Sequence, residues 1–223
     1  MKTDAATSPD HTPDHAPAPS ADAMPETVVE RLRRDIFYGR LEPGTRLKQI
    51  VLERRYGCTR IALRQALDAM TRQGLVVHEP MRGYSVATFD RATVKNLTEA
   101  RAVVEAESVV GALPHVDADL IDQLTGHAER FRVACETGTT EQIGEANMSF
   151  HRTLMSAAPN PVLAELAFEL RQRLPIAVSR SINTPERMSV LADQHFQMIE
   201  ALKARDAATL RKLVWDHIAY AGD

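Results

Sequence analysis

Only two cysteines occur in the 223 residues, and Cys58 and Cys135 stand far apart, with no second cysteine near either to form a metal knuckle or a redox pair. They read as small buried fillers in a reducing compartment. No apolar run approaches the roughly 18 residues of a membrane span, and the start lacks the charged-then-apolar pattern of a secretory signal. The expectation is a cytoplasmic protein with no membrane association. A nucleophile elbow, a phosphate-binding loop and a positioned catalytic base are also missing, which leaves enzymatic chemistry little footing. Strand signals are missing after Asp90, and no internal repeat is visible.

Charge is present but unevenly placed. The formal net charge of −3 conceals a terminal stretch (1–25) at −3, a middle block (26–90) at +4 and a remainder (91–223) at −4. A basic module joined to an acidic one suggests that only the first meets a polyanion. Residues 1–25, rich in Ala, Pro, Asp, Ser and Thr, hold almost nothing large and apolar. Ordering them would lose entropy without compensating burial, so a disordered tail is expected.

Periodicity organises the rest. Val28, Val29, Leu32, Ile36 and Phe37 follow helical spacing, and Gly39 supplies a stop. A Pro43-Gly44 turn leads to a short second helix through Leu47 and Leu52 that ends near Tyr56-Gly57. Thr59 is positioned to cap a third helix, whose Leu63, Ala66, Leu67 and Met70 form one inward stripe before Gly74. Two short apolar runs, Leu75 to Val77 and Tyr84 to Ala87, flank Glu79-Pro80-Met81-Arg82-Gly83 and read as a β-hairpin. Beyond Asp90, helical patterns cover 92–113, 117–136, 140–157, 161–183, 185–204 and 206–221, and Pro175 should kink or divide the fourth. The expected fold is mainly α: an N-terminal winged helix-turn-helix over 26–88 with a small hairpin wing, then an all-α helical bundle over 92–221.

A winged helix-turn-helix places its third helix in the major groove. With one stripe buried, that helix presents Thr59, Arg60, Ile61, Arg64 and Gln65. Arg can pair bidentately with guanine, Gln with adenine, and a hydroxyl at a helix start can bind phosphate. Lys48, and Arg82 beside Gly83 at the hairpin tip, could hold the backbone and fix register. Equally, Arg60 and Arg64 could be only the solvated side of an amphipathic helix.

The stretch LEPGTRLKQIVLERRYGCTRIALRQALDAMTRQGLV, followed by RGYSV, resembles the DNA-binding domain of the GntR family over residues 26–88. Pro43-Gly44, Gly57, Thr59-Arg60, Leu63-Arg64, Ala66-Leu67, Gly74-Leu75 and Gly83 carry the match. Ile61-Ala62 stands where that family usually has Thr-Pro, and Gln65 where it has Glu. The resemblance implies a homodimer that binds double-stranded operator DNA.

In the helical half, some polar side chains occupy core positions. Asn147 shares a stripe with Ile143, Phe150 and Leu154, with His151 one turn on. His195 lies with Leu191, Met198 and Leu202, and His217 with Leu210, Val214 and Ala221. Unpaired polar groups inside an apolar bundle are costly, so these need one another, water or a metal. An inward His is often only a satisfied core residue, and His127 beside Leu124 and Phe131 shows how easily the pattern arises. Three imidazoles and one oxygen donor nevertheless suit a divalent metal ion: zinc, with nickel or manganese as alternatives.

The order Asn147-Met-Ser-Phe-His151, then His195 and His217, resembles the FCD ligand-binding domain of FadR-type GntR regulators in its metal-binding form. That resemblance implies Asn147, His151, His195 and His217 as metal ligands, with Asn147 replacing the commoner Asp. Arg101 and Glu105 sit where those regulators have an Arg-x-x-x-Glu pair. A fork-shaped cation facing the cavity would favour a small organic acid as effector. The same spacing also fits an ordinary Arg101-Glu105 helix salt bridge. The expected function is a ligand-responsive repressor released from DNA by that acid. A metal-free helical dimerisation domain, or a small metalloenzyme, are the alternatives.

Overall fold

A computed structural model describes residues 26–179 and 184–219. The expected tail (1–25), the end of the fourth sensor segment (180–183) and Ala221 lie outside the described residues.

The first helix, α1 (Val28–Phe37), starts at Thr27, whose hydroxyl accepts from the Glu30 amide while the Glu30 carboxylate accepts from the Thr27 amide. It buries Leu32, Ile36 and Phe37. Helix α2 (Gln49–Tyr56) ends at Gly57, whose φ of 60° lets the chain turn sharply into the next helix. Thr59 caps α3 (Arg60–Arg72), accepting from the Ala62 amide at 3.3 Å, and Leu63, Ala66, Leu67 and Met70 are buried beneath it.

Strands β1 (Val76–Glu79) and β2 (Gly83–Val86) pair antiparallel, from Val76 opposite Val86 to Glu79 opposite Gly83. Between them the Arg82 amide donates to the Glu79 carbonyl, with Pro80 leading the turn and Met81 at φ 66°. These three helices and the hairpin share one apolar core centred on Leu63, Leu67 and Met70.

Asp90 caps α4 (Arg91–Gly111) by accepting from the Thr93 amide at 2.7 Å. A 3₁₀ turn at Leu113–His115, absent from the periodicity, leads to α5 (Ala118–Thr137) and α6 (Thr140–Ser156), the latter opened by a reciprocal Thr139-Gln142 cap. Pro175 divides the expected fourth segment: α7 (Pro161–Arg173) stops, and α8 (Ile176–Ser179) follows it. Helices α9 (Pro185–Lys203) and α10 (Ala207–Ala219) complete the bundle. In it α5 packs on α6 and α9, α10 on α9 and α4, and α4 on α7. A second apolar core, including Val109, Leu124, Phe150, Met198 and Val214, fills the space between them.

The two units touch directly. Tyr38, the C-cap of α1, lies against Gly144 of α6, where an added Cβ would come within 2.4 Å of Tyr38 Cε1 and 2.6 Å of Ile176 Cδ1. Arg40 pairs with Glu141 in the first turn of α6 and also with buried Asp35 at 3.3 Å. Asp35 in turn accepts from Tyr56 Oη and pairs with Arg55, both at 2.8 Å.

Gly57 has open space around its missing Cβ, so only its backbone conformation resists a side chain. Gly57→Ala should therefore cost about 1–2 kcal/mol, read as a lower denaturant midpoint with an unchanged slope.

Candidate metal centre and nucleic-acid interface

Three helices deliver imidazoles to one place in the second core. Helix α6 brings His151, α9 brings His195 and α10 brings His217, all buried. The Nε2 atom of His151 lies 3.2 Å from that of His217 and 3.3 Å from that of His195. Phe150 stacks on the His195 ring at 4.0 Å between centroids and fixes its plane. His217 Nδ1 donates to Gln194 Oε1 at 3.0 Å, which leaves its Nε2 with the lone pair that a metal requires.

Burial holds all three imidazoles neutral. The pKa of His195 falls to about 3, chiefly by desolvation and then by the nearby Arg171 cation. His151 and His217 are also pushed well below the usual histidine range, again chiefly by burial. Neutral, converging imidazoles are the protonation state that metal ligation uses.

The Asn147 Oδ1 atom is buried with no hydrogen-bond partner, and its residue lines the same cavity as His217. An orphaned amide oxygen beside three facing ring nitrogens fits a divalent cation, so the donor set suits one ion.

Next to the triad lies Glu105 on α4, fully buried. Arg101 Nε donates to its Oε1 at 2.5 Å, and Arg171 of α7 reaches its Oε2 at 3.4 Å. The Arg101-Glu105 helix salt bridge is thus present, and Arg101 lines the cavity as well. Burial, the Arg101 charge and the opposing pull of Glu105 leave the Arg171 pKa lowered to about 9. The cavity measures about 100 Å³, and its walls include Phe37 from α1.

Sequence reasoning passed over Arg171, Arg187, Gln194 and Phe37. Arg171 follows buried Ala167 by one turn, and Arg187 precedes Leu191 and His195 by one and two turns. Both were therefore legible as inward positions by the spacing that singled out the histidines.

At the other end, Thr59, Arg60, Ile61, Arg64 and Gln65 are all exposed at the start of α3, with Ile61 at 73%. Lys48, the N-cap position of α2, is exposed too. Gly83 opens β2 at φ 82°, and Arg82 beside it is exposed with only a 3.3 Å contact to Glu79. Arg46, which the sequence did not single out, donates to the Arg82 carbonyl at 2.5 Å and adds an exposed cation below the wing.

Comparison with known proteins agrees with this two-part layout. Residues 96–220 match the FCD domain, and residues 25–86 match the bacterial regulatory proteins of the gntR family. The chain belongs to the GntR family, in its FCD-domain branch. Among curated relatives, the HTH-type transcriptional repressor RspR of Escherichia coli strain K12 is 26% identical over 200 residues, covering 86% of this chain and 85% of RspR. The HTH-type transcriptional repressor GlaR of the same strain is 25% identical over 197 residues, covering 84% of this chain and 89% of GlaR. The solved structure of Escherichia coli McbR/YncC superposes with a TM-score of 0.77 at 21% identity, over 86% of this chain and 92% of that one, and supports the fold.

This GntR-family chain is accordingly a transcription regulator and not an enzyme, which removes the metalloenzyme alternative. Regulators of this family bind operator DNA and usually act as dimers. FCD domains often bind metal, and the histidine triad is a group able to hold one. No helix among the described residues is long and apolar enough to cross a membrane.

Two outcomes are expected. Arg64→Ala should weaken operator binding by about 1–3 kcal/mol and relax base preference, whereas Lys48→Ala should weaken all sequences alike. Competition binding with operator and scrambled duplexes checks both, and unchanged operator affinity in Arg64→Ala removes that residue from the bases. For the centre, zinc added to chelator-treated protein should raise the melting temperature, and His195→Ala should abolish the rise. In the chelated protein the His195 pKa is depressed relative to the unfolded chain. Its stabilising contribution is therefore complete above pH 6.5 and is lost as pH falls toward 3.

Proposed function

We propose that this chain is a homodimeric, cytoplasmic transcriptional repressor whose grip on operator DNA loosens when a small carboxylate enters the cavity beside a divalent metal. In this reading residues 26–88 form the DNA-binding domain, and residues 92–221 form the effector-binding and dimerisation domain. Helix α3 reads the major groove through Arg60, Ile61, Arg64 and Gln65, while Lys48, Thr59, Arg82 and Gly83 meet the sugar-phosphate backbone. Asn147, His151, His195 and His217 hold the ion, with zinc favoured over nickel or manganese by the nitrogen-rich donor set. Bound there, the ion supplies a Lewis acid for an anionic oxygen, and Arg101 offers its guanidinium to the same ligand. The names of RspR and GlaR, both repressors, support the sign of regulation.

The observation that carries ligand control is the composition of the cavity wall. Phe37 belongs to the helix that opens the DNA-binding unit, yet it lines the cavity together with Arg101, Asn147 and His217. A ligand that occupies this space touches both units. Regulation requires such a ligand to bind the DNA-competent and DNA-free arrangements unequally, because equal affinity shifts nothing. The close seat of Tyr38 on Gly144 and the Arg40 pairing with Glu141 give that difference a mechanical route.

Calorimetry with hydroxy-, keto- and dicarboxylic acids on the zinc-loaded protein, followed by operator titrations with and without each binder, tests the reading. A binder should lower operator affinity, and Arg101→Ala should bind it less well. The reading fails if none binds or if binding leaves operator affinity unchanged. Gly144→Ala should separate α1 from α6, because its Cβ would sit 2.4 Å from Tyr38 Cε1. The variant is expected to lose most of the operator response, read in the same titrations.

A further inference from the structure

Arg171 has no role in the proposal above, yet its position demands one. It is only 3% exposed, it lines the cavity, and its Nη2 is buried without a hydrogen-bond partner. Among the described residues its one ionic contact is the 3.4 Å approach to Glu105, a carboxylate that Arg101 already holds more closely at 2.5 Å. Two guanidiniums therefore share a single buried negative charge. Among the described residues no carboxylate lines the cavity itself.

The neighbouring imidazoles bring no negative charge to offset this excess, and a divalent ion on them would add to it. A buried cation without a full counter-charge is expensive, and relief comes from an anion placed against it. A ligand with one carboxylate satisfies one of the two positive foci, either the centre at His151, His195 and His217 or the Arg171 fork. A ligand with two satisfies both. The volume of about 100 Å³ keeps such a molecule short.

We propose that Arg171 is the specificity-determining residue of the effector cavity and that it selects a short dicarboxylate over a monocarboxylate of the same size. Its free Nη2 donates to the second carboxylate, while Arg101, whose Nε holds Glu105, offers its remaining N–H groups to the carboxylate beside the metal. This rests on the reading of the cavity as an effector site, and it adds the charge of the effector.

The whole chain, zinc-loaded, is titrated by calorimetry with malonate and succinate, each against its monoamide (malonamate, succinamate), which keeps size and removes one charge. At least one diacid should bind about tenfold or more tightly than its monoamide, the worth of one charge-assisted hydrogen bond. In Arg171→Met that preference should collapse toward unity while zinc affinity stays as in the parent. Arg171→Lys, which keeps the charge and the fold but loses the fork, should retain only part of it. Equal binding of diacid and monoamide by the parent protein overturns this proposal and leaves the effector-site reading intact. Absence of binding by all four compounds and by the wider acid panel overturns both. A preference that survives in Arg171→Met assigns the selectivity to another group and also overturns the proposal.

Discussion

Desolvation inside the helical bundle is the constraint on which the rest of this molecule depends. Three imidazoles, a carboxylate and two guanidiniums occupy a region where each would otherwise face hydrocarbon. Such groups persist only where each finds a partner or a ligand. Glu105 is satisfied by two arginines, His217 Nδ1 by Gln194, and the facing Nε2 atoms by one another, while His195 Nδ1 has no hydrogen-bond partner. Two further orphans, the Asn147 amide oxygen and one nitrogen of Arg171, belong to residues that line the same small space. The unsatisfied remainder of the core thus outlines what should enter it: something with anionic oxygens, next to a cation.

The same space is bounded by the DNA-binding unit, and this joins sensing to reading. Helix α1 contributes Leu32 and Ile36 to one core and Phe37 to the cavity wall of the other. Asp35 on that helix ties Tyr56, at the end of α2, to Arg40, which reaches α6. The turn that presents α3 follows Tyr56 immediately, so few bonds separate the cavity from the exposed start of α3. Packed elements of this kind move as units and do not deform gradually, which suits a switch between two arrangements.

Much of the fold was legible because local rules agreed with one another. Thr27, Thr59, Asp90 and Thr139 cap helices that the apolar spacing also indicated, and Pro175 divides a helix as its missing N–H requires. The hairpin strands fall one or two residues from the apolar runs, since pairing is decided by the partner strand and not by composition. The histidines could be placed because imidazoles on an apolar stripe stand out. Arg171 and Arg187 escaped notice because arginine in a helix ordinarily signifies a solvated face, although their spacing pointed inward. Gly144 and Phe37 were out of reach for a different reason. Their importance comes from contacts across more than a hundred residues of chain, which no local period encodes.

Arg40 is almost half exposed, and it holds together two units of opposite net charge through Glu141 and Asp35. Ion pairs open to water weaken as added salt shortens the screening length, roughly 10 Å at 0.1 M. Contacts to DNA phosphates weaken along the same axis by release of counterions. Ionic strength therefore acts on two contacts together: added salt loosens the exposed pairing of Arg40 with Glu141 along the same axis as it loosens the grip of a basic domain on a duplex.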